Sequence, residues 1–206
     1  MSFDLYLTFA AASAVLILIP GPAVTVIVAN ALAHGAGRAL VTVAGTSSAI
    51  LAQLIILTLG LSPLLGLLSD WFEGLRWAGV AYLVYLGLRK WSEPQAPAGS
   101  GALSPIAARR LYWQGFVVNA TNPKTLAFYA AFFPQFIDPA RPAMAQLALL
   151  SFTFLVIATL IDGSYALAGE RLGAWLRGAA RTRLRNRLSG GLLIGAGLGL
   201  ALVRRG

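Results

Sequence analysis

Six apolar stretches in 206 residues predict an all-α integral membrane protein: six transmembrane helices forming two three-helix inverted repeats, with helices 1 and 4 broken. Three observations carry this prediction. Hydrophobic residues make up 58% of the chain and charged ones 11%, with a mean hydropathy of +0.74, a composition of membrane proteins rather than soluble domains. Each apolar stretch approaches the roughly 20 helical residues that cross a hydrocarbon core. Finally, prolines interrupt the first and fourth stretches at corresponding places, Ile19-Pro-Gly-Pro-Ala23 and Asn122-Pro-Lys124.

The first span is predicted from Leu5 to Leu32. Asp4 leads it, no positive segment precedes it and it outruns a signal peptide, so it reads as a retained helix. The second runs from Ala39 to Leu61 and the third from Trp71 to Trp91, where Arg76 can snorkel and Trp71, Trp77 and Trp91 suit the interfaces. A Pro/Gly/Ala/Ser stretch, Glu93 to Pro105, has linker composition. The chain thus reads as one membrane domain, 1–206, with a first half 1–92, a cytoplasmic linker 93–110 and a second half 111–206. Spans four to six follow at Leu111 to Ile137, Ala143 to Gly169 and Leu188 to Val203. Three helices per half is an odd number, so two similar halves insert with opposite orientation, an arrangement typical of secondary transporters.

Connections one, three and five hold Arg38; Arg89, Lys90, Arg109 and Arg110; and Arg171, Arg177, Arg181, Arg183, Arg185 and Arg187, whereas the opposite side holds Arg76, Arg141, Arg204 and Arg205. The positive-inside rule then puts the odd connections in the cytoplasm and both termini outside it. The net charge of +9 is therefore a topology signal, not a nucleic-acid surface. With no cysteine, one histidine and two methionines, neither a metal site nor a cofactor is expected. His34 lies beyond the first apolar run and reads as a loop residue.

The chemistry concentrates at the breaks. Pro20, Gly21 and Pro22 must free backbone groups inside a span, and in hydrocarbon only protein, water or a ligand can satisfy them. The half-helices after Pro22 and Pro123 turn positive N-terminal ends into that space, which suits a carboxylate. Lys124, in Asn119-Ala-Thr-Asn-Pro-Lys124, costs roughly 3 kcal/mol near the bilayer centre even on lenient scales, so it marks a pathway or a partner. Asp162 is the other deeply placed charge. By the lean of helical side chains the two approach each other in depth, as a direct pair or as jaws around a substrate. Asn119 and Asn122 flank the second break one turn apart, and Tyr165 follows Asp162. Gln53, Thr46, Ser47 and Thr25 read as interhelical glue. Gly191, Gly195 and Gly199 form a small-residue face that packs internally or makes a homodimer.

At these residues the chain resembles the LysE/RhtB family of bacterial amino-acid exporters, closest to its homoserine/homoserine-lactone and threonine exporters. The likeness runs nearly end to end, through Pro20-Gly-Pro22, Ala33-His-Gly35, Arg76-Trp-Ala-Gly-Val-Ala-Tyr-Leu-Val-Tyr-Leu-Gly87, Phe116 to Lys124, Phe132-Phe-Pro-Gln-Phe136 and Ile161-Asp-Gly-Ser-Tyr165. The resemblance implies an inner-membrane exporter of amino acids or close derivatives that uses the proton gradient. The arginines from Arg171 to Arg187 exceed what topology requires and suggest contact with anionic lipids. The expected mechanism is alternating access around the two breaks: substrate carboxylate toward Lys124 and the half-helix ends, ammonium toward Asp162 and the asparagines, with Asp162 carrying the coupled proton. An intramembrane enzyme would need a nucleophile with its base, or a metal cluster, and no His, Cys or paired carboxylate lies at that depth. A passive channel or a membrane scaffold is the other alternative.

Overall fold

The computed structural model describes residues 1–58, 77, 80–88, 91, 105–175, 184, 187–195 and 198. Among them every regular element is helical. Helix α1 (Phe3–Leu18) is capped by the Ser2 hydroxyl, which accepts the Leu5 N–H at 3.3 Å. The chain is extended at Ile19 and Gly21, then re-enters a helix at Pro22, whose fixed φ and missing N–H suit the first helical position. The resulting α2 (Pro22–His34) is bent 55° from α1, and the two together have the length and apolarity of one broken span. Gly35, at φ +87°, turns the chain within one residue into α3 (Ala36–Thr58), a backbone region that glycine occupies without strain.

Residues 80–88 form the described part of α4. Helix α5 (Pro105–Ala120) stops at Thr121 and Asn122, α6 (Pro123–Phe132) resumes behind a proline, and a 3-10 turn, Phe133–Phe136, completes the predicted fourth span. Residues 105–110, assigned to the linker from sequence, belong to α5: Pro105 starts it and the alanines and arginines behind it are strong helix formers. Helix α7 (Ala143–Trp175) runs past the predicted end at Gly169, because neither Gly169 nor Gly173 breaks a helix whose flanks favour it. Residues 187–195 form the described part of α8. Much of the third and sixth predicted spans, and the linker 93–104, lie outside the described residues. Among the described residues, α3 and α7 are long and apolar enough to cross a membrane, and the bent α1–α2 pair makes a third candidate.

The polarity pattern is that of a protein in lipid. Val15, Leu51, Phe152, Leu160 and Leu167 face outward, whereas Asn30, Thr42, Thr46, Gln114, Asn119, Asn122 and Asp162 are buried. Glycines set the closest crossings. A Cβ on Gly45 would overlap the Tyr112 carbonyl, and one on Gly115 the Thr42 carbonyl, so α3 and α5 meet backbone to backbone. Gly87 of α4 and Gly190 of α8 meet in the same way, and Gly169 of α7 makes room for the Ala31 methyl of α2. Among the described residues, Gly191 and Gly195 of the predicted small-residue face have room for a side chain, and Gly190 packs closely.

Helix α7 lies along α1 with its first half, along α2 with its second, and against α3 throughout. Thr46–Asp162, Ser47–Thr159 and Thr58–Ser151 are hydrogen-bonded pairs that fix the antiparallel register of α3 and α7. An aromatic core around Phe9, Phe128, Phe133, Phe136 and Phe154 ties α1, α6 and α7 together on the side of the N-terminus. Val26, Ala29, Leu83, Leu86, Val118 and Leu193 form a second core joining α2, α4, α5 and α8. The two helix breaks lie between these cores.

Candidate functional site

Each break leaves carbonyls of the preceding half-helix without the amide that a continuous helix would supply, and side chains from distant elements take that place. At the end of α1, Lys124 Nζ donates to the Ile19 carbonyl and the Tyr165 hydroxyl donates to the Leu18 carbonyl at 2.7 Å. At the end of α5, Gln53 Nε2 donates to the Asn119 and Ala120 carbonyls at 3.3 and 3.1 Å. The first break is thus closed by α6 and α7, and the second by α3.

The two restarting helices differ. Asn122 Oδ1 accepts the Lys124 N–H at 3.1 Å, so α6 carries its own side-chain cap. Gly21 offers no side chain to α2, whose first turn is left open, and Gly21, Ala23 and Val24 line a cavity of about 50 Å³. Asn119, Asn122, Lys124, Thr125 and Asp162 line the same cavity, with Leu16, Ile17, Ile50, Phe154 and Ala158 as its apolar walls. The aliphatic stem of Lys124 lies over Gly21, where an added Cβ would sit 3.4 Å from Cδ.

Asp162 is 4% exposed and accepts a hydrogen bond from the Thr46 hydroxyl at 3.2 Å; that hydroxyl also lies 2.9 Å from the Val43 carbonyl, so its single proton serves one acceptor at a time. Asn119 Nδ2 reaches the Thr46 carbonyl at 3.4 Å, so the asparagine of one break and the aspartate of α7 share one residue of α3. No ion pair within 4.0 Å joins Lys124 to Asp162. They face one cavity without touching.

Of the residues singled out from sequence, the structure gathers Gly21, Asn119, Asn122, Lys124 and Asp162 on one cavity. Pro20 is exposed and Pro22 half-buried; they shape the break without lining the cavity, and Pro123 opens α6 in the equivalent place. Tyr165 is not a lining residue and acts as a cap for α1. Thr46 and Gln53, interhelical glue by the sequence, do bridge helices: Thr46 joins α3 to Asp162 of α7, and Gln53 closes the second break. A polar residue within a span is a visible signal; which groups it meets depends on the helix register, which sequence does not display.

The profile of the LysE type translocator family matches residues 14–204, nearly the whole chain. The chain belongs to the LysE family. A homoserine/homoserine lactone efflux protein of Salmonella typhimurium is 32% identical over 99% of both chains. An uncharacterized membrane protein of Vibrio cholerae is 27% identical over 99% of this chain and all of its own. A leucine efflux protein of Klebsiella pneumoniae is 26% identical over 97% of this chain and 95% of its own. No solved structure matches. Members of the LysE family are named for efflux, so this chain is a membrane transport protein and not an enzyme.

Proposed function

We propose that the chain is a secondary active exporter of amino acids or close derivatives, of the homoserine, homoserine lactone or threonine kind, driven by protons across a bacterial inner membrane. The observation that carries this reading is the single cavity on which both helix breaks, Lys124 and Asp162 converge. Such a cavity offers a cation and an open helix N-terminus for a carboxylate, or for the carbonyl of a lactone, and a carboxylate with asparagine amides for an ammonium. The efflux proteins that the chain is similar to act on homoserine, homoserine lactone or leucine, small molecules that carry an amino group.

Binding and movement follow from one competition. Lys124 spans the two breaks by donating to the Ile19 carbonyl. A substrate carboxylate is a stronger, charged acceptor and draws the ammonium away. The end of α1 then loses a cap, held by Tyr165 alone, and the 55° angle between α1 and α2 is free to change. Protonation of Asp162 releases the substrate ammonium, which gives the proton its place in the cycle.

The paired breaks support an inverted repeat in which α1–α2 corresponds to α5–α6, α3 to α7 and α4 to α8, with both termini outside the cytoplasm. Efflux of labelled amino acids from cells expressing the protein tests the function. Threonine or homoserine leaving faster than from cells without it supports export; equal rates for every compound in a broad panel remove the reading.

A further inference from the structure

Resting on the export reading above, we propose that Ala158 and Ile50 form the subsite for the substrate's side chain, and that Ala158 sets how large a neutral side chain it accepts. The register of α3 against α7 carries the argument. Thr46 meets Asp162, so one turn further along the antiparallel pair Ile50 stands opposite Ala158, and both line the cavity. Helical side chains lean toward their own N-terminus, so the Asp162 carboxylate points toward the Ala158 layer. One turn is about 5.4 Å, close to one carboxylate–ammonium hydrogen bond plus the two bonds from that nitrogen to the substrate's β-carbon.

Phe154, a further turn away, lines the same cavity and closes this layer. Its ring stacks on Phe128 at 5.3 Å and meets Tyr129 edge-on at 5.3 Å, so it cannot yield readily to a longer ligand. Between the aspartate and that wall Ala158 contributes only a methyl, and the free space there is space its side chain leaves. Among the described residues, Lys124 and Asp162 are the only charged side chains lining the cavity, and the zwitterionic head occupies both. A second charge on the substrate would meet Ile50, Ala158 and Phe154 without a partner, a costly burial. The substrate class is thus a neutral amino acid of limited side-chain size.

The test is uptake into proteoliposomes of labelled alanine, leucine and lysine by wild type, Ala158→Leu and Ala158→Gly. Pocket contacts of one or two methylenes are worth about 10- to 200-fold in discrimination. The expected result is a leucine-to-alanine ratio of kcat/KM lowered at least about tenfold by Ala158→Leu and raised by Ala158→Gly, with lysine carried poorly throughout. Should Ala158→Leu abolish all transport, the shift with Ala158→Gly decides. A wild type that carries these amino acids while the ratio stays unmoved overturns this inference and leaves the export reading standing. A wild type that carries none of the three overturns this inference, whereas the export reading falls only if the broad panel, threonine and homoserine included, shows no efflux.

Discussion

Lys124 is an ammonium in an apolar setting that makes two kinds of contact at once: its stem covers Gly21 and its head caps α1. Substituting Lys124→Met keeps the stem and removes the head. Transport is expected to fall at least about a hundredfold while the protein still inserts, since a lost charged hydrogen bond is worth roughly 1.5–3 kcal/mol and the site loses its cation as well. Initial efflux rates normalised to membrane content measure this. Asp162→Asn preserves shape and hydrogen bonding but cannot titrate, so export is expected to lose its pH dependence and its ability to run uphill. Asp138 supplies the contrast. The Ala140 N–H, and beside it Arg141 and the N-terminal ammonium, hold its exposed carboxyl below the usual carboxylate range. A depressed folded pKa means that these loop contacts persist above the ordinary value of about 3.9 and fail only as pH falls through the lower folded value. Asp138→Asn is therefore expected to leave the pH profile of export near neutrality unchanged, and a flattened profile would assign coupling to the wrong carboxylate.

At the scale of elements, glycine positions decide how closely helices approach. Gly45→Val forces a branched side chain into the Tyr112 carbonyl, and the obstacle is backbone that cannot rotate aside. Overpacking of this kind costs about 1–3 kcal/mol or more. The detergent-solubilised variant is expected to melt several degrees below wild type, whereas Gly37→Ala, with open space around it, is expected to match or exceed wild type. Equal melting temperatures for Gly45→Val and wild type would contradict the crossing described. The proline breaks were legible in sequence because proline acts locally, through its own φ and its missing N–H. The glycine crossings were not: Gly45 and Gly115 resemble any glycine in an apolar run, while the conspicuously spaced Gly191 and Gly195 have, among the described residues, no neighbour that a side chain would overlap. Likewise Lys124 and Asp162 announced themselves by charge, while the capping roles of Gln53 and Tyr165 depend on contacts spanning 66 and 147 residues of sequence.

Over the whole molecule, one architecture explains both stability and transport. Rigid aromatic packing lies on one side of the breaks and a second apolar cluster on the other. Between them the backbone is interrupted twice, and its freed groups are held by Lys124, Tyr165 and Gln53, contacts that can be exchanged without unfolding either core. In the proposed function this junction moves a zwitterion against its gradient at the expense of protons. Uptake of labelled threonine into proteoliposomes under an imposed pH gradient, compared between wild type, Lys124→Met and Asp162→Asn, tests it most directly. Wild type is expected to accumulate threonine uphill and to lose that accumulation when the gradient is dissipated, and neither variant is expected to accumulate it. Accumulation by both variants equal to that of wild type would contradict it.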